Sequence, residues 1–259
     1  MSSDKVNITS MKSYRSEQIL NLFNVNERNW LSGRFIPMVL ALFGITLMTT
    51  LDSYSPMVFG QSASQPQNLS FTYYTNWGSE GEGDGQFLHP HVPANDAQGQ
   101  LFVTDRDHPS VQVFSTNGEF LNRWGSEGEG DGQLSNPESS IVDSSGNVYI
   151  ADYGNNRIQK FSNDGTYLSQ WGTKGVANGE FQGPSGLSID SNDNIYVTDK
   201  NNNRVQVFTS DGQYIAQFGG ANEDEGKLLD PEGVGVDKES GTVYIADTGN
   251  SRIVVFKPN

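Results

Sequence analysis

Beyond residue 70 the apolar residues show no helical spacing. They fall into short runs rich in Val, Ile, Tyr and Phe. Clusters of Asp, Asn, Ser and Gly part the runs, as in DSSGN (143–147), SNDG (162–165), DSNDN (190–194) and TSDG (209–212). Such runs bounded by turn residues predict antiparallel strands joined by hairpins. Some are apolar at successive positions, as at Ile195, Tyr196 and Val197, which predicts strands covered on both faces.

The runs repeat. Trp77, Trp124, Trp171 and Phe218 are spaced by 47 residues, and Gly follows each (Gly78, Gly125, Gly172, Gly219). In register behind them come GQFLHP (85–90), GQLSNP (132–137), GEFQGP (179–184) and GKLLDP (226–231). QLFVTD (100–105), NVYIAD (147–152), NIYVTD (194–199) and TVYIAD (242–247) follow, then VQVF (111–114), IQKF (158–161), VQVF (205–208) and IVVF (253–256). The fourth copy runs one residue late through an insertion in DKESG (237–241). Four strands per unit of this length predict an all-β fold, a β-propeller of four four-stranded blades. The repeats are 77–123, 124–170, 171–217 and 218–259. The fourth lacks the positions that match Gly212 to Gln217 of the third. The aromatic, strand-like segment Phe71–Asn76 is expected to complete that last blade and close the ring, which would remove its free edges. An open four-blade arc, or two chains sharing a larger ring, are the alternatives.

Residues Phe35 to Leu51 form an uncharged apolar run between Arg34 and Asp52. It approaches the length of a spanning helix, about 20 residues. Lys5, Lys12, Arg15, Arg28 and Arg34 precede it, which orients the downstream part across the membrane. The predicted organisation is a polar tail (1–33), a single apolar helix outside the propeller (34–52), a linker (53–70) and the propeller (71–259). The apolar helix is either a signal peptide, with Gly60, Ser62 and Ala63 as candidate cleavage positions, or an uncleaved signal anchor. Either predicts an extracytoplasmic protein, secreted or held in the membrane through residues 35–51.

The repeated motifs resemble the NHL repeat family. The likeness lies in [Ile/Val]-Tyr-[Ile/Val]-[Ala/Thr]-Asp followed by Gly-Asn-x-Arg-[Ile/Val]-x-x-Phe, clearest at Asp152-Tyr-Gly-Asn-Asn-Arg157 and Asp247-Thr-Gly-Asn-Ser-Arg252. It covers residues 71–259. The resemblance implies a β-propeller, commonly of six blades, so four is a departure. The first unit departs too, since Asp105-Arg-Asp-His-Pro-Ser110 has lost the Asn and the Arg. Family members include partner-binding ends of ubiquitin ligases with RING domains, RNA binders with a basic face, zinc lyases of amidated-peptide synthesis, and secreted proteins. The absence of Cys removes a RING domain, disulfides and thiol chemistry.

The net charge of −15 opposes nucleic-acid binding. Residues 64–259 hold 11 Lys and Arg against 27 Asp and Glu. Propeller topology places the loop leading into each blade and the turn between its second and third strands on one face. Glu80, Glu82, Asp84, Glu127, Glu129, Asp131, Glu223, Asp224 and Glu225 make that face acidic. It suits a protein partner, a small cationic ligand or a divalent cation such as calcium. Solvated loops that keep the protein soluble are the plainer reading. The recurring pairs Asp152 with Arg157, Asp199 with Arg204, and Asp247 with Arg252 read as structural braces. His89, His91 and His108, near Asp105 and Asp107, are candidate ligands for zinc or copper. His89-Pro-His91 is expected to be extended, with its two rings turned apart. No catalytic motif stands out. The expected function is a binding scaffold acting through the acidic face. A metal-dependent lyase or hydrolase, and a structural cell-surface component, are the alternatives.

Overall fold

The structure is a computed structural model that describes residues 72–220 and 225–258. The tail, the predicted apolar helix at 34–52, the linker, Phe71, Glu223 and Asp224 lie outside the described residues. None of the described helices is long and apolar enough to cross a membrane.

The apolar runs form strands, and the strands form four successive antiparallel sheets. A short parallel clasp, β1 (Ser79–Glu80) with β2 (Gln86–Phe87), leads into the first sheet. That sheet contains β3 (Ala94–Asn95), β4 (Leu101–Asp105), β5 (Ser110–Phe114) and β6 (Phe120–Trp124), paired in chain order. The clasp recurs as β7 (Ser126–Glu127) with β8 (Gln133–Leu134). The second sheet follows as β9 (Pro137–Val142), β10 (Val148–Asp152), β11 (Arg157–Phe161) and β12 (Tyr167–Trp171). β13 (Pro184–Ile189), β14 (Ile195–Asp199), β15 (Arg204–Phe208) and β16 (Tyr214–Phe218) make the third. The fourth has three strands, β17 (Pro231–Val236), β18 (Val243–Asp247) and β19 (Arg252–Phe256).

Each four-stranded sheet is one propeller blade. The second and third strands pair so that Asp152 faces Arg157, Asp199 faces Arg204 and Asp247 faces Arg252. A bulge falls at one repeat position between third and fourth strands, ahead of Phe114, Phe161 and Phe208. Neighbouring blades meet through their first two strands, β9 against β3 and β4, β13 against β9 and β10, β17 against β13 and β14. The first strands are therefore innermost, and the fourth strands lie at the half-exposed rim.

Three apolar layers fill the spaces between blades. Phe102, Val111 and Val113 meet Val148, Ile150 and Phe161 between the first two. Tyr149, Ala151 and Ile158 meet Phe181, Ile195, Val197 and Phe208 between the next two. The last layer is thinner, with only Val205, Leu228, Val243 and Ile245 fully enclosed. Each fully buried apolar side chain contributes about 1.5–3 kcal/mol. The fourth blade is thus held least strongly.

The ring is not closed by the residues that were expected to close it. Thr72–Asn76 belong to no strand, and Tyr73 and Tyr74 are exposed. Among the described residues the fourth sheet has three strands, after three sheets of four. The face that looks onto the next blade shows the consequence. Val111, Ile158 and Val205 are 0% exposed at one repeat position, whereas Ile253 is 65% exposed. Val255 at 48% and Tyr244 at 46% share that open face.

The contrast between equivalent positions is measurable. In dilute protein, Ile158→Ala should destabilise the fold by about 2–5 kcal/mol. Ile253→Ala should change stability by no more than about 0.5 kcal/mol. Urea midpoints of the two variants check this.

Candidate functional site

The second strand of every blade ends on a fully buried Asp: Asp105, Asp152, Asp199 and Asp247. A charge taken out of water must be paired and hydrogen-bonded. Asp152 Oδ1 accepts the backbone N–H of Ser135 at 2.7 Å. Its Oδ2 accepts Arg157 Nε at 2.7 Å, Asn155 Nδ2 at 2.8 Å and Gln159 Nε2 at 3.0 Å. Asp199 has the same partners one unit later, in Gln182 N–H, Arg204, Asn202 and Gln206.

The guanidinium then reaches the leading loop. Arg157 donates to the carbonyls of Glu129, Gly130 and Gln133, and Arg204 to those of Ala177 and Glu180. The fully buried Gln112, Gln159 and Gln206 each pin that loop from the third strand. Their Oε1 accepts the N–H of Gly85, Gly132 and Gly179, and their Nε2 donates to the carbonyls of Gln86, Gln133 and Glu180. The leading loops and the Asp-x4-Arg turns therefore occupy one end of the blades. In the sequence these glutamines lie inside otherwise apolar runs. The signal was their recurrence inside VQVF, IQKF and VQVF, and the fourth unit has Val254 instead.

The first blade lacks the arginine, because Ser110 stands where Arg157 stands in the second. Arg123 supplies the group from the fourth strand. It lies across from Gln112, donates to the Glu82 carbonyl and pairs with Asp84 at 3.2 Å. The carbonyl of Glu82 is the repeat equivalent of Glu129, which Arg157 reaches.

The acidic loops project from this end. Glu80, Glu82, Asp84, Glu127, Glu129, Asp131 and Glu225 are exposed. Among the described residues only Asp84 of these forms an ion pair. The loops 78–85 and 125–132 share one sequence and one shape. Gly81 and Gly128 both have φ +146°, and Gly85 and Gly132 both have φ +75°. Gln86 and Gln133 cap them by accepting the N–H of Gly83 and Gly130.

Nearer the innermost strands, positions that differ between repeats come together. His91, Glu138, Ser185 and Glu232 each follow the repeat Pro, and Arg106, Tyr153, Lys200 and Thr248 each follow the repeat Asp. Glu138 accepts contacts from His91 at 3.1 Å and Arg106 at 3.4 Å. Lys200 Nζ lies 2.6 Å from Glu232 and 3.7 Å from Asp230. Burial lowers the Lys200 ammonium, but Glu232 and Asp230 outweigh it and hold it above its ordinary value. Their identities differ from unit to unit, so the repeat pattern does not mark them.

The three histidines do not converge on a metal. His89 and His91 lie with ring centroids 5.0 Å apart, because residues two apart on an extended chain share a side, against the expectation of rings turned apart. His89 contacts Asp107 at 3.4 Å, while His108 Nδ1 is buried without a partner. Among the described residues no group of three or more His, Asp or Glu side chains could hold a metal ion. Calcium and zinc therefore have no assembled site there.

Burial, the largest influence, raises the Asp199 carboxyl above its ordinary value despite its bonds to Gln182 N–H, Asn202 and Arg204. Burial also raises Asp247, but the bonds from Leu229 N–H, Asn250 and Arg252 prevail and lower it.

Residues 181–208 and 228–256 match the NHL repeat, and residues 94–172 match a family described as a 6-bladed beta-propeller. The latter describes more blades than the four expected. No curated protein matches the chain. Among solved structures, a streptogramin B lyase is 16% identical with a TM-score of 0.49 over 65% of this chain and 54% of that one. A catalytically inactive virginiamycin B lyase from Staphylococcus aureus, with quinupristin, is 16% identical with a TM-score of 0.48 over 66% and 56%. A protein of unknown function from Bacteroides thetaiotaomicron is 20% identical with a TM-score of 0.52 over 65% and 47%. The chain spans about half the length of these structures.

Arg157→Ala should strand the buried Asp152 and cost about 3–5 kcal/mol. Arg252, whose side chain is 49% exposed, should cost clearly less when changed to Ala. Arg157→Lys should not restore stability, since one ammonium cannot replace a fork of five donors. Equilibrium urea unfolding of the three variants tests the order. A carboxyl lowered on folding stabilises above the ordinary Asp value and loses that contribution as pH falls through its folded value. A raised carboxyl has the opposite sign. Below pH 3.8, acid should therefore remove a stabilising contribution at Asp247 and none at Asp199. Hydrogen exchange should show the β18–β19 amides losing protection before those of β14–β15.

Proposed function

We propose that this chain, which carries NHL repeats on a β-propeller framework, is a binding scaffold that presents its acidic loop face to a basic protein or small cationic ligand. The observation that carries the reading is the pair of identical loops 78–85 and 125–132. They hold one backbone shape and offer Glu80, Glu82 and Asp84 beside Glu127, Glu129 and Asp131 in neighbouring units. The buried Asp, Gln and Arg groups fix the loop backbone, so little ordering remains to be done on binding. The excess of acidic residues supports steering of positively charged partners and argues against nucleic acid. The uncharged run 35–51 with its basic flank supports a place outside the cytosol, tethered or released.

A ten-residue lysine peptide serves as the probe in calorimetric titration of the whole protein. Affinity should fall at least about tenfold between about 20 and 200 mM salt, as screening shortens the reach of the carboxylates. The triple change Glu127→Gln, Glu129→Gln and Asp131→Asn should weaken binding about fivefold at the lower salt and leave the urea midpoint unchanged. Equal affinity for the triple variant and the parent would refute the acidic loops as the binding surface.

A further inference from the structure

Among the described residues the fourth blade has three strands, and a segment whose sequence matches the fourth strands of the other blades lies unpaired elsewhere in the chain. The fourth strands of the complete blades read Phe120-Leu-Asn-Arg-Trp124, Tyr167-Leu-Ser-Gln-Trp171 and Tyr214-Ile-Ala-Gln-Phe218. Tyr73-Tyr-Thr-Asn-Trp77 occupies the same place one repeat earlier, with aromatic residues at both ends.

Trp77 makes the ring contacts of its equivalents, although it is 40% exposed where Trp124 is 9%. A Cβ added to Gly118 would come 2.6 Å from the Trp77 ring, as one on Gly212 would come 2.7 Å from Trp171. Its ring centroid lies 6.2 Å from that of Phe114, as that of Trp171 lies 5.8 Å from Phe208. Residues 72–76 pair with none of the described strands, and Tyr73 and Tyr74 are 76% and 84% exposed. At the other end of the arc, β19 has a free edge where β15 has β16, beside the open apolar face of Tyr244, Ile253 and Val255.

We propose that these two ends meet between copies of the chain. Residues 72–76 of one copy add to β19 of a second as its missing antiparallel strand, and the open apolar face is covered by the first blade of the arriving copy. An unpaired edge is a template for strand addition, and main-chain hydrogen bonds would supply the affinity. The third blade predicts the register. There Val205 faces Phe218, Gln206 faces Gln217, Val207 faces Ala216 and Phe208 faces Tyr214. By equivalence Ile253, Val254, Val255 and Phe256 of the second copy face Trp77, Asn76, Thr75 and Tyr73 of the first. Head-to-tail contacts of this kind close into rings or extend as filaments. Two arcs would make eight blades, within the usual range of propellers.

The chain has no Cys, so single cysteines report on one contact at a time. Paired residues on antiparallel strands have Cα separations that a disulfide spans. Two differently tagged full-length chains, one Thr75→Cys and the other Val255→Cys, are mixed and oxidised. The expected product is a disulfide-linked dimer containing both tags, in at least about tenfold excess over a mixture of Thr75→Cys with Leu168→Cys, whose cysteine lies on the outer strand of a complete blade. The double variant Val207→Cys/Ala216→Cys should close within one chain and shows that oxidation reaches such pairs. Absence of the two-tag dimer while that control closes overturns the proposal. So does closure of a Thr75→Cys/Val255→Cys double variant within single chains without linkage between them.

Discussion

A buried carboxylate at the end of each second strand is the contact on which the rest of the structure depends. Asp105, Asp152, Asp199 and Asp247 are out of water, and a lone carboxylate there is untenable. Asp152, Asp199 and Asp247 are each satisfied by groups from different parts of the unit. In the second and third blades these are a backbone N–H of the leading loop, the Asn and Arg of the turn, and a Gln of the third strand. The loops are rich in glycine and would sample many conformations alone. The carboxylate gathers their anchors into one network, so the acidic side chains stand on a fixed backbone.

The first blade shows how far this constraint can move without being lost. Ser110 removes the arginine of the turn, and Asp105 instead accepts the N–H groups of Leu88 and His89. Arg123 approaches from the fourth strand and takes the loop carbonyl that an arginine of the third strand takes next door. One acceptor is served from two sequence positions, because the paired strands bring both beside it. Freed from the turn, the first unit carries Arg106, Asp107 and His108 there. Arg106 and His91 both reach Glu138 of the following unit. Shared positions of the repeats build the frame, and differing positions decide what each unit offers.

The two ends of the arc differ from its middle for a reason of packing. An inner blade has a neighbour on each face, so its second and third strands are apolar and buried on both sides. The fourth blade has the same sequence character and lacks the neighbour, leaving Tyr244, Ile253 and Val255 in water. Its leading loop also lacks the glutamine anchor, since Val254 stands in that place. Its arginine is half in water.

The sequence by itself determined the repeat, the strands, their order within a unit and the pairing of Asp with Arg. All of these follow from local spacing: apolar runs between turn residues form hairpins, and a period of 47 residues stacks equal units. The common end shared by the acidic loops and the turns also followed, from the alternation of strand direction. Only the tertiary structure decided that Arg123 replaces a missing arginine, that three glutamines within apolar runs hold the loops, and that His91, Arg106 and Glu138 meet. These contacts join residues about 26 to 47 positions apart whose partners share no local pattern. It also decided that Thr72–Asn76 leave the fourth blade unfinished. Strand propensity shows that a segment can pair, whereas the edge within its reach depends on how far the stacked sheets turn.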